Sequence, residues 1–324
     1  MLDVEYAKLI SSLNVYKNFE KDYMSGRLSQ AYLFVCDDRL TAKVLMQTIA
    51  NLLVCENNNI CEVCGACIKA RAGTLPDILM YPKSKSFMVE DAGDIYDKVQ
   101  VKPMIANKKI FLINDVDLST EQAQNKMLKI IEEPPENVVF LLSAKNENKV
   151  LKTIQSRVQK KYIDKINDNL LSGVLICSEE VRDIAISNGG GYLGKTLDIQ
   201  NNEEYINIYK NAKNIVIKLK NSSQIPNFSP QLATSKDFFE KNLYILNDFF
   251  RDLLMLKLNK ESLIKNKNLI DDFYSIIEEY SVTALAEILK RLNYCKQKFD
   301  ANCNLTILAD SILMEILEVK YLCK

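Results

Sequence analysis

Two short apolar runs with an amphipathic segment between them form the clearest pattern along the chain. Residues 110–113 (IFLI) and 138–143 (VVFLLS) have the length and β-branched content of strands that are buried on both faces. Between them, Ala123, Met127 and Ile130 recur at helical spacing and define one apolar face. The pattern predicts a βαβ unit, in which two parallel strands are joined by a helix.

Both ends of the predicted helix have signals of their own. Ser119 precedes it and Gln122 follows three residues later, as in a capping box, so we expect Ser119 to cap the helix. The helix should end before Pro134 and Pro135, because proline removes a backbone donor and disfavours a helical residue before it.

The pattern in the rest of the chain divides it into two parts. Residues 30–36 and 75–81 are further candidate strands, and residues 89–99 form a candidate helix. From Asp164 onwards the apolar positions follow helical spacing, and no glycine occurs after Gly194. We therefore expect an α/β core with a parallel sheet, followed by an all-helical region.

Composition narrows the functional classes. The chain has 42 basic and 42 acidic residues, so its overall charge does not indicate nucleic-acid binding. It has no histidine, which excludes serine-histidine triads and mixed cysteine-histidine metal sites. No apolar run reaches the roughly 18 residues that span a bilayer, and the N-terminus lacks the pattern of a signal peptide. We expect a cytoplasmic protein.

Four of the nine cysteines lie close together in the sequence. Cys55, Cys61, Cys64 and Cys67 follow the spacing C-x5-C-x2-C-x2-C, and four thiolates at such spacing are typical of a closed, structural zinc site. The alternative is four small buried cysteines without a metal. Disulfides are not expected in a reducing compartment. The remaining cysteines are scattered, as core or surface residues: Cys36, Cys177, Cys295, Cys303 and Cys323.

Two segments resemble a known family. Residues 125–135 (NKMLKIIEEPP) and 153–157 (TIQSR) are similar to the core signature of bacterial clamp-loader subunits of the AAA+ class, and most similar to the delta-prime subunits of DNA polymerase III. The resemblance implies an AAA+ core with a zinc-knuckle insertion, a small helical lid and an all-α collar domain for oligomerisation. The corresponding segments are residues 1–164, with the insertion at 55–67, then 165–205 and 206–324.

The resemblance also identifies the positions of an ATP site. In this sequence, two motifs of that site lack residues that the site requires. The loop from Cys36 to Lys43 should be a P-loop, but it contains no glycine, and Ala42 stands where the phosphate-binding lysine belongs. Asn114 stands in place of the magnesium-binding aspartate, and Asp115 in place of the glutamate that orients the attacking water. Asp115 would then only cap the following turn. We expect neither ATP binding nor hydrolysis.

Arg157 has the main chemical role that the resemblance implies. It lies just past the second strand of the βαβ unit, where clamp-loader subunits present an arginine finger in trans to the γ-phosphate held by a neighbouring subunit. The alternative is an arginine in a local salt bridge. Lys195 stands where the family has a nucleotide-sensing arginine, and we expect it at the surface.

The leading hypothesis is a clamp-loader subunit without ATPase activity, which helps to load the sliding clamp onto primed DNA. The implied partners are ATPase subunits of the gamma or tau type, a delta subunit, and the clamp and DNA through the assembled complex, with no membrane. One alternative is an active gamma-type ATPase, which would need an intact P-loop and acidic pair. Another is a free-standing zinc-knuckle protein that binds nucleic acid, which would need a basic domain with interleaved aromatic residues.

Overall fold

The computed structural model describes residues 4–57 and 60–322, and it divides the chain into two compact units. The first unit runs to Val174 and includes Gly191–Lys195, and the second comprises Leu175–Gly190 and the residues from Thr196 onwards. The segment assigned to a lid, residues 165–205, is divided between the two units. The three-domain organisation stays a prediction.

The first unit is built on a five-stranded, all-parallel sheet with the strand order β2-β3-β4-β1-β5. β3 and β4 are buried along their whole length, which confirms the interpretation of the two apolar runs. The rings of Phe111 and Phe140 stack across this pair, with their centroids 5.2 Å apart. The strands are β1 (Ala31–Val35), β2 (Ile78–Tyr81), β3 (Lys109–Ile113), β4 (Val138–Ala144) and β5 (Gln159–Tyr162).

Helices cover both faces of the sheet. The helix between β2 and β3 and the helix between β3 and β4 share one apolar core with the sheet. On the other face, Phe19 meets the ring of Tyr32 edge to face, with a centroid distance of 4.9 Å. The helices of this unit are α1 (Val4–Ser11), α2 (Asn14–Met24), α3 (Arg39–Val54), α4 (Gly65–Ala72), α5 (Val89–Val99), α6 (Glu121–Glu132), α7 (Lys152–Gln155) and α8 (Asp168–Ser172).

The cap predicted for α6 is wrong by one residue. Thr120 is the N-cap, and its side chain accepts a hydrogen bond from the backbone N–H of Ala123. Ser119 instead closes a 3-10 turn at Val116–Leu118, where its hydroxyl donates to the carbonyl of Val116. A short turn between β3 and α6 thus occupies the residue that the sequence pattern had assigned to the helix.

The second unit is helical, as expected from its sequence, and has a large apolar core of its own. Its helices are α9 (Glu179–Gly189), α10 (Leu193–Gln200), which begins in the first unit, α11 (Glu203–Lys218), α12 (Ile225–Leu232), α13 (Lys236–Lys257), α14 (Ile270–Ile276), α15 (Val282–Asp300) and α16 (Leu305–Leu322). Within residues 4–57 and 60–322, none of the helices is long and apolar enough to cross a membrane.

Candidate functional site

The carboxyl edge of the sheet brings together the two degenerate motifs. In a parallel sheet all strands end at the same edge, so the loop after β1, which begins at Cys36, and the loop after β3, which begins at Asn114, lie at one edge on either side of the end of β4. An ion pair joins the two loops, with Arg39 Nη1 lying 2.8 Å from Asp115 Oδ1. Both sets of candidate residues therefore belong to one site.

The Asp38 carboxylate caps the N-terminus of α3 at this edge. Its Oδ2 atom accepts hydrogen bonds from the Thr41 backbone N–H (2.8 Å), the Thr41 hydroxyl (2.5 Å) and the Gly194 N–H (2.9 Å). The Thr41 hydroxyl in turn accepts from the N–H of Leu193 (3.1 Å). Asp38 is only 7% exposed. The Thr41 N–H, one of the backbone donors in the first turn of α3, where a P-loop protein would hold phosphate, is thus bonded to an internal carboxylate.

The remaining P-loop positions offer little to a phosphate. Ala42 is buried in the first turn of α3, and Lys43 faces outward and is exposed. Burial raises the pKa of the Cys36 thiol to about 11, so this cysteine is a neutral thiol at physiological pH. Lys195, expected at the surface, is half-buried, and its ammonium lies 4.8 Å from the ring centroid of Tyr192.

The acidic motif after β3 is held by contacts within the protein. The Asn114 side-chain amide donates to the carbonyl of Tyr81 (2.9 Å), while its buried Oδ1 has no hydrogen-bond partner among the residues described. Asp115 has a left-handed backbone (φ 55°), and its N–H donates to the Ser143 hydroxyl (3.0 Å). The expectation that the Asp115 side chain caps the following turn is wrong, because its carboxylate makes no capping hydrogen bond and is paired with Arg39 instead.

Arg157 lies between α7 and β5 and is partly exposed. Its Nη2 atom is 2.8 Å from Glu132 Oε1 at the end of α6, and its Nη1 atom donates to the carbonyl of Thr153 (2.9 Å). These contacts are those of the local salt bridge that the sequence left open. The ion pair is exposed on both sides, with 38% of the Arg157 side chain and 43% of the Glu132 side chain accessible.

The four grouped cysteines converge in space. Their sulfur atoms all lie within 4.8 Å of one another. A tetrahedral zinc site with Zn–S bonds of 2.3 Å has sulfur atoms about 3.8 Å apart, so the cluster can hold a metal such as zinc with small adjustments. Residues 58 and 59, within this segment, lie outside the described residues. The donor set contains sulfur alone, which favours zinc over hard cations.

Backbone N–H groups support the thiolates. The N–H of Cys64 donates to Cys61 Sγ and the N–H of Cys67 donates to Cys64 Sγ, each at 3.4 Å. Hydrogen bonds from the backbone N–H groups of Cys64 and Val63 lower the pKa of the Cys61 thiol to about 6, whereas burial raises the pKa of the Cys67 thiol. Cys55 ends α3, the helix whose other end carries Asp38. Since a 16-residue helix is about 24 Å long, the cluster is remote from the carboxyl edge of the sheet.

The sequence pattern did not identify Asp38, Thr41 and Gly194 as a set. An aspartate three residues before a threonine at a helix start is a capping signal, which predicts the bond to the Thr41 N–H. The bond to Gly194 spans 156 positions, and no local pattern indicates it.

Comparisons with known proteins find similarity to subunits of DNA polymerase III. Residues 12–167 match the family described as "DNA polymerase III, delta subunit", and residues 205–317 match "DNA polymerase III, delta subunit, C terminal". The chain is 24% identical over 326 residues to DNA polymerase III subunit tau of Bacillus subtilis, a match that covers 90% of this chain and 58% of that protein. It is 30% identical over 155 residues to the tau subunit of Escherichia coli, covering 47% of this chain and 24% of that protein.

The chain spans less than two thirds of the length of both relatives. Among solved structures, a gamma subunit-related protein of DNA polymerase III from Thermotoga maritima covers 94% of this chain and 99% of that chain at 17% identity, with a TM-score of 0.37. A TM-score this low adds no support. The first family match takes in all five strands of the sheet and the second takes in most of the helices from α11 to α16. With these matches, the chain belongs to the clamp-loader family of DNA polymerase III.

Proposed function

We propose that this chain is a clamp-loader subunit of the delta-prime type, which helps to load the sliding clamp onto primed DNA without hydrolysing ATP. The observation that carries the proposal is the buried Asp38 carboxylate at the N-terminus of α3. A phosphate bound there would meet a negative charge, and the N–H groups of Thr41 and Gly194 are already bonded to that carboxylate. Ala42 and Asn114, which lack the charged groups of an ATPase, support the same conclusion.

An active gamma-type ATPase is the second candidate, because tau subunits of DNA polymerase III are among the relatives of this chain. Calorimetric titration of the isolated chain with ATP and magnesium distinguishes the two. The proposal predicts no heat beyond that of dilution. A one-to-one isotherm with micromolar affinity would overturn it in favour of the ATPase.

We further propose that Arg157 acts as an arginine finger on an ATPase subunit of the gamma or tau type, within a complex that also contains a delta subunit. Its ion pair with Glu132 is exposed on both sides, and such pairs contribute at most about 1 kcal/mol. A neighbour's triphosphate concentrates more negative charge and offers paired oxygens to the guanidinium, so it would compete well for Arg157.

Two substitutions separate a finger from a local ion pair. Arg157→Ala removes the guanidinium, whereas Glu132→Gln breaks the pair and leaves the guanidinium in place. In the complex rebuilt with its ATPase and delta subunits, clamp and DNA, a finger predicts that hydrolysis at the adjacent site falls by about 10³ to 10⁵ with Arg157→Ala. Total ATPase falls only partly, because other sites keep their own fingers.

Glu132→Gln is the matched variant, and the complex that contains it should hydrolyse ATP and load clamps like the wild type. Arg157→Lys should restore little activity, because an ammonium cannot make the two-pronged contact of a guanidinium. Equal losses with Arg157→Ala and Glu132→Gln would assign the effect to the local ion pair instead of a finger. Unchanged ATPase activity and clamp loading with Arg157→Ala would leave this subunit without a part in hydrolysis.

We also propose that Cys55, Cys61, Cys64 and Cys67 hold one structural zinc ion. Four sulfur donors complete a tetrahedron and leave no open position for a substrate, which supports a structural role over a catalytic one.

A further inference from the structure

The contacts of Asp38 join two segments that are far apart in the sequence. Its carboxylate and the Thr41 hydroxyl together bond the N–H groups of Thr41, Leu193 and Gly194. Thr41 lies in the first turn of α3, whereas Leu193 and Gly194 open α10. The N-termini of two helices therefore meet at one carboxylate. Each carries the positive end of its helix dipole and N–H groups that have no acceptor within their own helix.

The backbone at Gly194 is shaped around this carboxylate. A Cβ atom at Gly194 would lie 2.4 Å and 2.7 Å from the two oxygens of Asp38, closer than such atoms approach, and 2.8 Å from the Cβ of Leu40. Only glycine allows the N–H of residue 194 to reach Oδ2 at 2.9 Å. The contact therefore depends on a specific residue at each of its two ends.

A lysine lies beside these N–H groups. The Lys195 ammonium follows directly after Gly194; burial and the larger effects of the Asp38 and Asp37 charges raise the pKa of Cys36 in the same loop, and Lys195 opposes them. Backbone N–H groups at helix N-termini beside a lysine are the groups with which proteins bind phosphate. Here they surround a side chain of the chain itself, which is 7% exposed.

We propose that the Asp38 carboxylate is an internal substitute for a bound phosphate, and that it holds Gly191–Lys195 against the N-terminus of α3. The inference rests on the proposal that the chain takes no ATP, and it goes further by assigning the occupant of the space. Removing the carboxylate should then do two things: it should release residues 191–195, and it should open a site for a small oxyanion.

The test compares Asp38→Ala with Asp37→Ala by amide hydrogen exchange. Asp37 is the matched control, since it carries the same charge one residue away but is exposed and forms no hydrogen bond or ion pair with the residues described. We expect Asp38→Ala to speed exchange at Thr41 and Gly194 at least about tenfold, the factor that one charge-assisted hydrogen bond represents, and to speed it less at Leu193, whose bond to the Thr41 hydroxyl remains. Asp37→Ala should leave all three rates unchanged. Equal rates in both variants would overturn the proposal.

In the second part of the experiment, exchange is measured in the presence of millimolar inorganic phosphate, and chloride at the same ionic strength is the control. Phosphate should slow exchange at the N–H groups of Thr41 and Gly194 in Asp38→Ala and have no effect on the wild type, whose site is filled. If phosphate restores nothing in Asp38→Ala, the space is not an oxyanion site and the proposal fails. Such a result leaves the non-ATPase role intact, whereas ATP binding by the wild type would overturn both.

Thr41→Val is a second route if Asp38→Ala does not fold. The valine keeps the shape of threonine but removes the hydroxyl that donates to Asp38 and accepts from Leu193. Exchange should then rise about tenfold at Leu193 and less at Gly194, whose bond to Asp38 remains. Unchanged exchange at Leu193 would contradict the proposed link.

Discussion

Asp77 is a buried carboxylate at the amino end of β2, whereas Asp38 lies past the carboxyl end of β1. Removal of the Asp77 carboxylate should be strongly destabilising. Asp77 is fully buried and accepts hydrogen bonds from the N–H groups of Met104 (2.7 Å), Ile105 (2.7 Å) and Ala106 (2.8 Å). These bonds fix the loop that leads into β3. The buried ammonium of Lys109 holds the start of the same loop by donating to the carbonyls of Lys98 and Val101.

The expected loss in unfolding free energy for Asp77→Ala follows from these contacts. Hydrogen bonds to a charged group contribute roughly 1.5 to 3 kcal/mol each, so three give about 4.5 to 9 kcal/mol before the cost of burying the carboxylate, itself several kcal/mol. Removal of one member of a buried charged set typically costs about 3 to 5 kcal/mol. Burial lowers the pKa of Lys109 and the Asp77 carboxylate opposes that shift, so the variant also loses a favourable interaction with Lys109. We expect Asp77→Ala to lower the free energy of unfolding of the sheet unit by about 4 kcal/mol.

Amide hydrogen exchange in β2 and β3 measures this unit separately from the helical one. Asp77→Asn keeps one acceptor oxygen and should lose about half as much stability. Asp97→Ala is the control, because Asp97 is exposed and forms no hydrogen bond or ion pair within the described part of the chain, so its effect should stay within about 0.5 kcal/mol. A loss below about 1 kcal/mol for Asp77→Ala, or the same loss for Asp97→Ala, would refute the reasoning.

Two further predictions concern the metal and pH. Protein purified without added zinc should contain close to one zinc per chain by elemental analysis. Cys64→Ser should lower this value while the far-UV circular dichroism of the chain persists. The absence of zinc even after its addition would exclude the site. Partial burial raises the pKa of Asp94, but hydrogen bonds from Lys83, Tyr81 and Lys98 outweigh it and hold this pKa well below its usual range. A depressed pKa stabilises the folded state above the unfolded value, so the difference in unfolding free energy between wild type and Asp94→Asn should be largest near neutral pH and narrow below about pH 4; a difference independent of pH would contradict this.

The strands were predictable because their signal is local. β3 and β4 are buried on both faces, and each therefore appears in the sequence as an unbroken apolar run. The helix predicted at residues 89–99 agrees with α5 at both ends. The four grouped cysteines were predictable for the same reason, since the metal-binding spacing lies within one short segment.

Features that depend on distant parts of the chain were not predictable. The cap of α6 moved from Ser119 to Thr120 because a 3-10 turn intervenes between strand and helix. In the loop after β1, a local capping signal distinguishes Asp38 from Asp37 and indicates the bond to the Thr41 N–H, but only the fold supplies the bond to Gly194, which is 156 positions away. Helical periodicity likewise gives no indication that Leu193 and Gly194 return to the sheet unit.

Asp38 and Asp77 show two uses of the same device at opposite edges of one sheet. Each is a buried aspartate whose cost is offset by three hydrogen bonds from N–H or hydroxyl donors. Asp77 joins a loop to the strands beside it. Asp38 joins segments at the position that, on the proposal above, corresponds to the phosphate site of an ATP-binding subunit. A subunit that gives up its nucleotide loses the bonds that the phosphates make to these N–H groups, and a buried N–H without a partner is costly. On the same proposal, the Asp38 carboxylate supplies such bonds to Thr41 and Gly194 permanently, so this edge of the sheet would keep one arrangement whatever the ATP concentration.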